Sequence, residues 1–302
     1  MTLPNFLIIG ATKSGTTALH TYLQQHPDIF MSKIKELRYF SYLSSPPFPD
    51  VPDKYIFKGV TTLEEYKNHF RDATNQKIIG ESSPMYLYYP GTAEQIKIIL
   101  PNVKMLVILR NPVDRAFSAY SHAVRDWLEN STSFREALAK ESERIKAGWG
   151  ILWHYTQAGY YFDQLRRYYA IFNPDQIKVV LYDDLVRDAC GVCKEIFIFL
   201  KVDENFIPDT SKHLNISGIP KNKSIHSLMK SIFFENNLLK RISLFILPKS
   251  FCKKVMVNLR MFNLEKQTIP EKTRKDLLNL FKKDIMMLEK LINRDLSCWL
   301  KE

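Results

Sequence analysis

Cysteine is scarce, with four residues in a chain of 302. That is too few for a disulfide scaffold and suits a reducing compartment. Long apolar runs are also missing. The longest, such as Ile196–Leu200 and Leu244–Leu247, fall far short of the roughly 20 residues that cross a bilayer. The apolar stretch Phe6–Ile9 near the start is too short for a signal-peptide core, and no basic region precedes it. The expectation is a soluble intracellular protein, cytoplasmic in location. Internal repeats and low-complexity tracts are absent, so residues 1–302 read as a single domain.

Acidic residues are outnumbered, 32 Asp+Glu against 43 Lys+Arg, for a net charge of +11. The surplus calls for an anionic partner: phosphate, sulfate, nucleic acid or an anionic membrane. Hydrophobic residues make up 45% and charged residues 25%, which excludes disorder as the main state.

Strand and helix patterns alternate along the chain. Strands are expected at Phe6–Ile9, Lys77–Gly80, Val103–Leu109 and Ile177–Leu181. Helices are expected over Thr16–Gln25, Thr92–Leu100, Asn111 to about Leu128, Asp188–Leu200 and Glu271–Asn293. The last carries Leu277, Leu280, Phe281, Ile285, Leu288, Leu291 and Ile292 at helical spacing. This alternation predicts an α/β fold, a mostly parallel central sheet flanked by helices, with a helical C-terminal part. Ser44–Lys58, with four prolines, and the polar Asp203–Ser224 read as surface loops.

The first strand runs into Gly10-Ala11-Thr12-Lys13-Ser14-Gly15-Thr16-Thr17 and then a helix. A small-residue turn feeding a helix N-terminus is an anion site, because backbone amides and the helix dipole both favour negative charge. Against the triphosphate-binding loop pattern, Gly10, Gly15 and Thr17 fit. The lysine does not, since Thr16 occupies its place and the cation stands three residues earlier, at Lys13. A cation at the apex suits a shorter phosphate group bridged to a leaving or transferred group. Arg110 directly follows the strongest strand, and Ser118 lies about two helical turns further on. Strand ends line the ligand crevice of a parallel sheet, so an Arg fork with a hydroxyl makes a second phosphate site beside the first. The competing role for Arg110 is an ion pair with Asp114. Two anion sites on neighbouring strands point to a ligand with phosphates at both ends.

Gly-x-x-Lys-Ser-Gly-Thr-Thr followed by Leu-Arg-Asn-Pro-x-x-Arg-x-x-Ser-x-Tyr resembles the sulfotransferases that use 3′-phosphoadenosine 5′-phosphosulfate (PAPS). The branch it is most similar to is the heparan-sulfate-sulfotransferase-like one and its bacterial relatives. The likeness continues through Lys35–Phe40, Gly80–Leu87, Gly159–Leu165, Ser217–Lys223 and Asp295–Leu300. It implies a P-loop-like sulfotransferase fold in which Lys13, Ser14, Gly15, Thr16 and Thr17 bind the 5′-phosphosulfate. It further implies that Arg110 and Ser118 bind the 3′-phosphate and that Tyr161 lies near the nucleotide. The Ser217–Lys223 loop, with Ser217, Gly218, Lys221 and Lys223, matches the late nucleotide-binding loop.

The implied reaction is in-line sulfuryl transfer to an acceptor hydroxyl or amine, of a small molecule, saccharide or glycolipid, releasing adenosine 3′,5′-bisphosphate (PAP). The transferred group carries a single negative charge, so no metal is required. Lys13 stabilises charge on the leaving phosphate. Glu36 matches the family's catalytic carboxylate as general base; its bland role is an ion pair with Lys33 or Arg38. His122, one turn beyond Ser118 on the same helix face, is the rival base. Family members acting on heparan sulfate tend to carry a His two residues after the Glu and a Lys before Thr-Pro. This chain has Arg38 and Ser82-Ser83-Pro84 there, which leaves the acceptor open.

Cys190 and Cys193 have redox-motif spacing, but their helix continues into an apolar face and they read as structural. Residues 228–262 mix apolar and basic side chains. They read as core packing with a solvated face, or as a lid over the acceptor pocket or a peripheral surface for anionic membrane. Two alternatives to sulfuryl transfer stand. A P-loop-type nucleotide kinase is disfavoured by the displaced lysine. A non-enzymatic anionic-ligand or nucleic-acid-binding protein is disfavoured by scattered basic residues with no nucleic-acid motif.

Overall fold

The computed structural model describes residues 2–44, 59–211, 218–233, 259, 262–265 and 267–301. Strand β1 (Phe6–Gly10) is buried at every position. An unbroken apolar strand is stable where both faces are covered, and here two helical layers cover it. Leu7 and Ile9 point into one layer, Phe6 and Ile8 into the other, as the two-residue period of a strand dictates.

The sheet also contains β2 (Ile29–Met31), β3 (Ile78–Ser82), β4 (Lys104–Leu109) and β5 (Ile177–Leu181). Its order is β2-β3-β1-β4-β5, with every pairing parallel. After β1 the chain fills one side of the sheet, then returns to lay β4 and β5 on the other. That reversal opens a crevice beyond the carboxyl ends of β1 and β4.

In chain order the helices are α1 (Thr16–Leu23), α2 (Tyr39–Ser44), α3 (Leu63–Asn68), α4 (Thr92–Ile99), α5 (Pro112–Arg125), α6 (Phe134–Ala139), α7 (Glu141–Lys146), α8 (Tyr161–Tyr169), α9 (Tyr182–Arg187), α10 (Ala189–Leu200), α11 (Lys223–Phe233) and α12 (Glu271–Ile292). α1, α9 and α10 form the layer against Phe6 and Ile8; α4, α5, α8 and α12 form the layer against Leu7 and Ile9. A short antiparallel pair, β6 (Ile219–Pro220) with β7 (Leu264–Glu265), packs β6 against α5.

The expected strands and helices form, with shifted ends. β3 begins one residue late and runs on through Glu81 and Ser82, which are polar but fully buried. α5 stops at Arg125 rather than near Leu128, because Trp127 turns the backbone into the left-handed region at φ 59°. In α12 Leu280 faces outward while Leu278 takes a buried position. Of the expected loop Asp203–Ser224, residues 219–220 form β6 and Lys223 already opens α11. The loop expected at Ser44–Lys58 lies outside the described residues except for Ser44, which closes α2. No described helix is long and apolar enough to cross a membrane.

Two long-range caps tie the C-terminal part to the crevice. Asn111 caps α5 by accepting from the Val113 amide, while its own amide group donates to the Trp299 carbonyl at 3.1 Å. Asp284 of α12 accepts the Tyr161 amide at 2.9 Å and the Phe162 amide at 3.2 Å, supplying a carboxylate where α8 begins. Burial, reinforced by Asp163, lifts the Asp284 carboxyl to about 6 against those two bonds.

Candidate functional site

The site is built on the two connections that leave β1 and β4. In the first, Lys13 (φ 66°) and Gly15 (φ 99°) are both left-handed, which folds the chain into a concave backbone turn. Gly15 is also the N-cap of α1 and offers no side-chain cap to the first amides of the helix. Those amides are thus available to an anion. A Cβ at Gly15 would meet the Tyr182 ring at 3.0 Å in a backbone conformation that L side chains avoid. Ser14 is fully buried beneath the turn.

In the second connection, Arg110 donates to the Lys13 carbonyl at 3.4 Å and lies over the Tyr182 ring, its guanidinium carbon 4.5 Å from the centroid. Its own carbonyl accepts from the Tyr161 hydroxyl at 3.0 Å. Burial pushes that phenol up to about 12, so Tyr161 remains a proton donor. Asp114, the alternative partner for Arg110, is paired with Arg274 at 2.7 Å instead.

A third segment brings Lys35, Glu36 and Arg38. The Lys35 ammonium donates to the Thr17 hydroxyl at 2.9 Å and the Thr16 hydroxyl at 3.3 Å. Glu36 accepts from Arg38 at 2.8 Å, with Lys35 at 4.0 Å on its other oxygen. Lys33, the other expected partner of Glu36, pairs with Asp72. Burial, the largest influence on Glu36, raises its pKa. Arg38 and then Lys35 outweigh it and hold the carboxyl below its ordinary value.

The electrostatics of the turn centre on Lys13. Its pKa falls from 10.5 to about 7, first through burial, then through Arg125, with Arg110 and Lys35 adding and Glu36 opposing. Lys35, Arg110 and Arg125 thus act with Lys13 on one turn, opposed by Glu36, which is already engaged by Arg38, while Arg125 is itself paired with Asp126. Such a set is relieved by a ligand carrying several negative charges. Arg115, fully buried and electrically coupled to Arg110 and Tyr161, adds to the field while donating to the carbonyls of His154 and Tyr155.

Ser118, His122 and Arg125 share one face of α5, at i, i+4 and i+7. Ser118 is buried. His122 presents Nε2 to Asp126 at 3.0 Å, and Asp126 is bonded in turn by Arg125 at 2.9 Å. The structure thus brings together Lys13, Ser14, Gly15, Thr16, Thr17, Arg110, Tyr161 and Glu36. Gly218 and Lys221 sit apart in sequence, at the β6–β7 pair. A Cβ on Gly218 would approach the Glu265 carbonyl at 3.0 Å. Lys221 is exposed, with its amide bonded to the Asn263 carbonyl at 2.7 Å and its ammonium 5.9 Å from the Phe262 ring centroid. Ser217 lies outside the described residues, and of Lys223 only its place at the start of α11 is described. Lys35 and Arg125 were not expected from the sequence as site residues. The helical interval from Ser118 and His122 to Arg125 was the available signal.

The two cysteines with redox-motif spacing separate on α10. Cys190 is exposed, whereas Cys193 is buried with a thiol raised to about 12 by burial and then by Cys190 and Asp188. Asp188 caps this helix by accepting the Gly191 amide at 2.8 Å, so the helix end opposes a thiolate. Turnover of a Cys190→Ser/Cys193→Ser protein is expected to match wild type within about twofold, as for other changes outside the reacting groups. A loss beyond tenfold in a steady-state assay would reopen the redox role.

An open parallel sheet with a concave backbone turn at its switch point, ringed by cations and suited to an anion, fits an enzyme that transfers an anionic group. The chain belongs to the sulfotransferase family: the sulfotransferase domain matches residues 3–237. It is similar to the membrane-associated sulfotransferase kil1 of Dictyostelium discoideum, 30% identical over 77% of this chain and 48% of that protein. It is also similar to human bifunctional heparan sulfate N-deacetylase/N-sulfotransferase 2, 27% identical over 66% of this chain and 22% of that protein. The chain thus spans about half of the first relative's length and under a quarter of the second's. A sulfotransferase crystal structure from Alicyclobacillus acidocaldarius is 34% identical with a TM-score of 0.78, covering 100% of both chains. The α/β sulfotransferase fold expected from the sequence is the fold observed.

Proposed function

We propose that the protein moves a sulfuryl group from PAPS to a hydroxyl or amine of a saccharide, glycolipid or small-molecule acceptor. The observation that carries this reading is the convergence of Lys13, Lys35, Arg110 and Arg125 on the turn at the start of α1, with Glu36 opposing the other cations at Lys13. The uncapped amides of α1 and the Thr16 and Thr17 hydroxyls would hold the 5′ end of the donor, and Arg110 with Ser118 the 3′-phosphate. The donor supplies an activated sulfuryl group on a good leaving phosphate.

Lys13 would neutralise charge gathering on the bridging oxygen as PAP departs. Glu36 would take the acceptor proton. A weakly basic carboxylate serves where bond breaking to the leaving group runs ahead of bond making, by analogy with loose phosphoryl transfer. Similarity to heparan sulfate N-sulfotransferases supports a saccharide acceptor, while Arg38 and Ser82 leave room for another class. Cytoplasmic location and peripheral contact with anionic membrane are part of the proposal. Similarity to a membrane-associated relative supports the second.

Two arms test the reading. PAP at about 100 times its Kd is expected to stabilise the fold by about 2.7 kcal/mol, seen as a rise in Tm, with AMP and ATP giving little because they lack the 3′-phosphate. Equal stabilisation by AMP and PAP would overturn the two-phosphate site. An acceptor screen with labelled PAPS then reads sulfuryl loss, and phosphoryl transfer from ATP and Mg²⁺ in its place would favour the kinase.

A further inference from the structure

We propose that Glu81 and Ser83 are positioning residues that hold the Lys35–Arg38 segment, and with it Glu36, at the mouth of the crevice. This rests on the assignment of Glu36 to the reaction. The Ser83 hydroxyl accepts the Arg38 amide at 3.0 Å and donates to Glu81 Oε2 at 2.7 Å. One residue earlier, the Ser82 carbonyl accepts the Glu36 amide at 2.8 Å. The end of β3 thus grips the segment at two successive alternate amides.

The grip opposes a strained backbone. Glu36 (φ 63°) and Arg38 (φ 61°) are both left-handed without being glycine. Such residues persist only where surrounding contacts hold them. Just beyond them lies the N-terminus of α2, whose first amides have no partner within the helix. Ser83 takes the Arg38 amide, and the Tyr86 hydroxyl lies 3.5 Å from the Phe40 amide.

Glu81 anchors both hydroxyls. Its side chain is fully buried, bonded by Ser83 on one oxygen and by Tyr66 on the other at 3.3 Å, with Tyr86 completing the set. Two of these donors, Tyr66 and Tyr86, pack in turn against Tyr39 and Phe40 in edge and stacked contacts. A carboxyl at that depth is costly unless its oxygens are bonded, and three donors from three places in the chain converge on this one. Burial lifts its pKa to about 7, opposed by the Ser83, Tyr86 and Tyr66 bonds and assisted by the nearby Glu36 charge.

The experiment compares Ser83→Ala, Ser83→Thr and Glu81→Gln. Amide hydrogen exchange is read over residues 36–41 of the substrate-free protein, with kcat and donor KM measured separately. In Ser83→Ala, exchange of the segment is expected to rise about tenfold or more through local opening. Its kcat is expected to fall on the order of 10- to 100-fold, as for a misplaced reacting group, with donor KM within about twofold. Ser83→Thr, which keeps the hydroxyl, restores both readings, and Glu81→Gln shifts them in the Ser83→Ala direction. Unchanged exchange in both Ser83→Ala and Glu81→Gln overturns the proposal. So does a threonine variant as impaired as the alanine one, since packing alone would explain it. If Ser83→Ala does not fold, the threonine and glutamine variants decide by the same readings. Exchange needs no turnover, so absence of sulfuryl transfer by the wild-type protein overturns the proposed reaction and not the positioning role.

Discussion

Replacing Lys13 with Met is expected to lower kcat about a thousandfold, the upper range for removing one preorganised charge donor from a transition state. The ammonium sits on the turn proposed to cradle the leaving phosphate, and no other described cation occupies that left-handed apex. Lys35 is directed to the Thr16 and Thr17 hydroxyls, and Arg110 is directed to the Lys13 carbonyl and the Tyr182 ring. Neither replaces it without rearrangement.

Donor binding carries a proton signature from the same residue. With a pKa of about 7 in the free protein, Lys13 is charged below that pH and mostly neutral above it. An anion beside it raises the pKa, so binding above pH 7 takes up a proton, and binding near pH 5.5 takes up almost none. PAP affinity therefore falls as pH rises past 7. Calorimetric titration in buffers of differing ionisation enthalpy reads the uptake directly. Lys13→Arg removes it, since arginine stays charged. Uptake that is constant across pH 5.5–8.5, or a Lys13→Met enzyme with near-normal kcat, would remove Lys13 from this role.

Glu36→Gln is expected to lower kcat by about 10² to 10⁴, the usual range for a general base, while PAP binds as well or better. Better binding follows from deleting the Glu36 charge, which opposes the cations at Lys13. Arg38 and Lys35 hold the Glu36 pKa below its ordinary value. Its ionised form therefore persists as pH falls, and the acid limb of kcat lies below the usual glutamate range. Removing the guanidinium in Arg38→Ala moves the limb upward. His122→Asn is expected to lose only a few-fold. A Glu36→Gln enzyme near wild type, with a collapsed His122→Asn and a limb in the histidine range, would transfer the base to the His122–Asp126 pair.

The turn around Lys13 was legible because strand, small residues and helix start follow one another locally. Arg110 was legible because a strand end in a parallel sheet faces the crevice. The residues that support them were not. β2 is three residues long and pairs with β3 across a stretch no local pattern spans. Glu81 and Ser82 look like the polar stop of a strand, yet they continue it. Tyr66 from α3 and Ser83 supply the bonds that make a buried carboxylate tolerable, and neither contact leaves a periodic trace. Arg125 has the sequence context of a helix end; only the fold gives it influence over Lys13.

The family match ends at residue 237, but the two C-terminal caps reach back into it. Asp284 fixes the start of α8, where Tyr161 meets the Arg110 carbonyl, and Trp299 fixes the Asn111 cap one residue after Arg110. Whatever steadies Arg110 also steadies the seating of α12, and the reverse holds with equal magnitude because coupling free energies are reciprocal. A phosphate bound at Arg110 would therefore be felt as far away as Trp299, and α12 with the segment after it would be a thermodynamic partner of the proposed donor rather than an appendage to its domain.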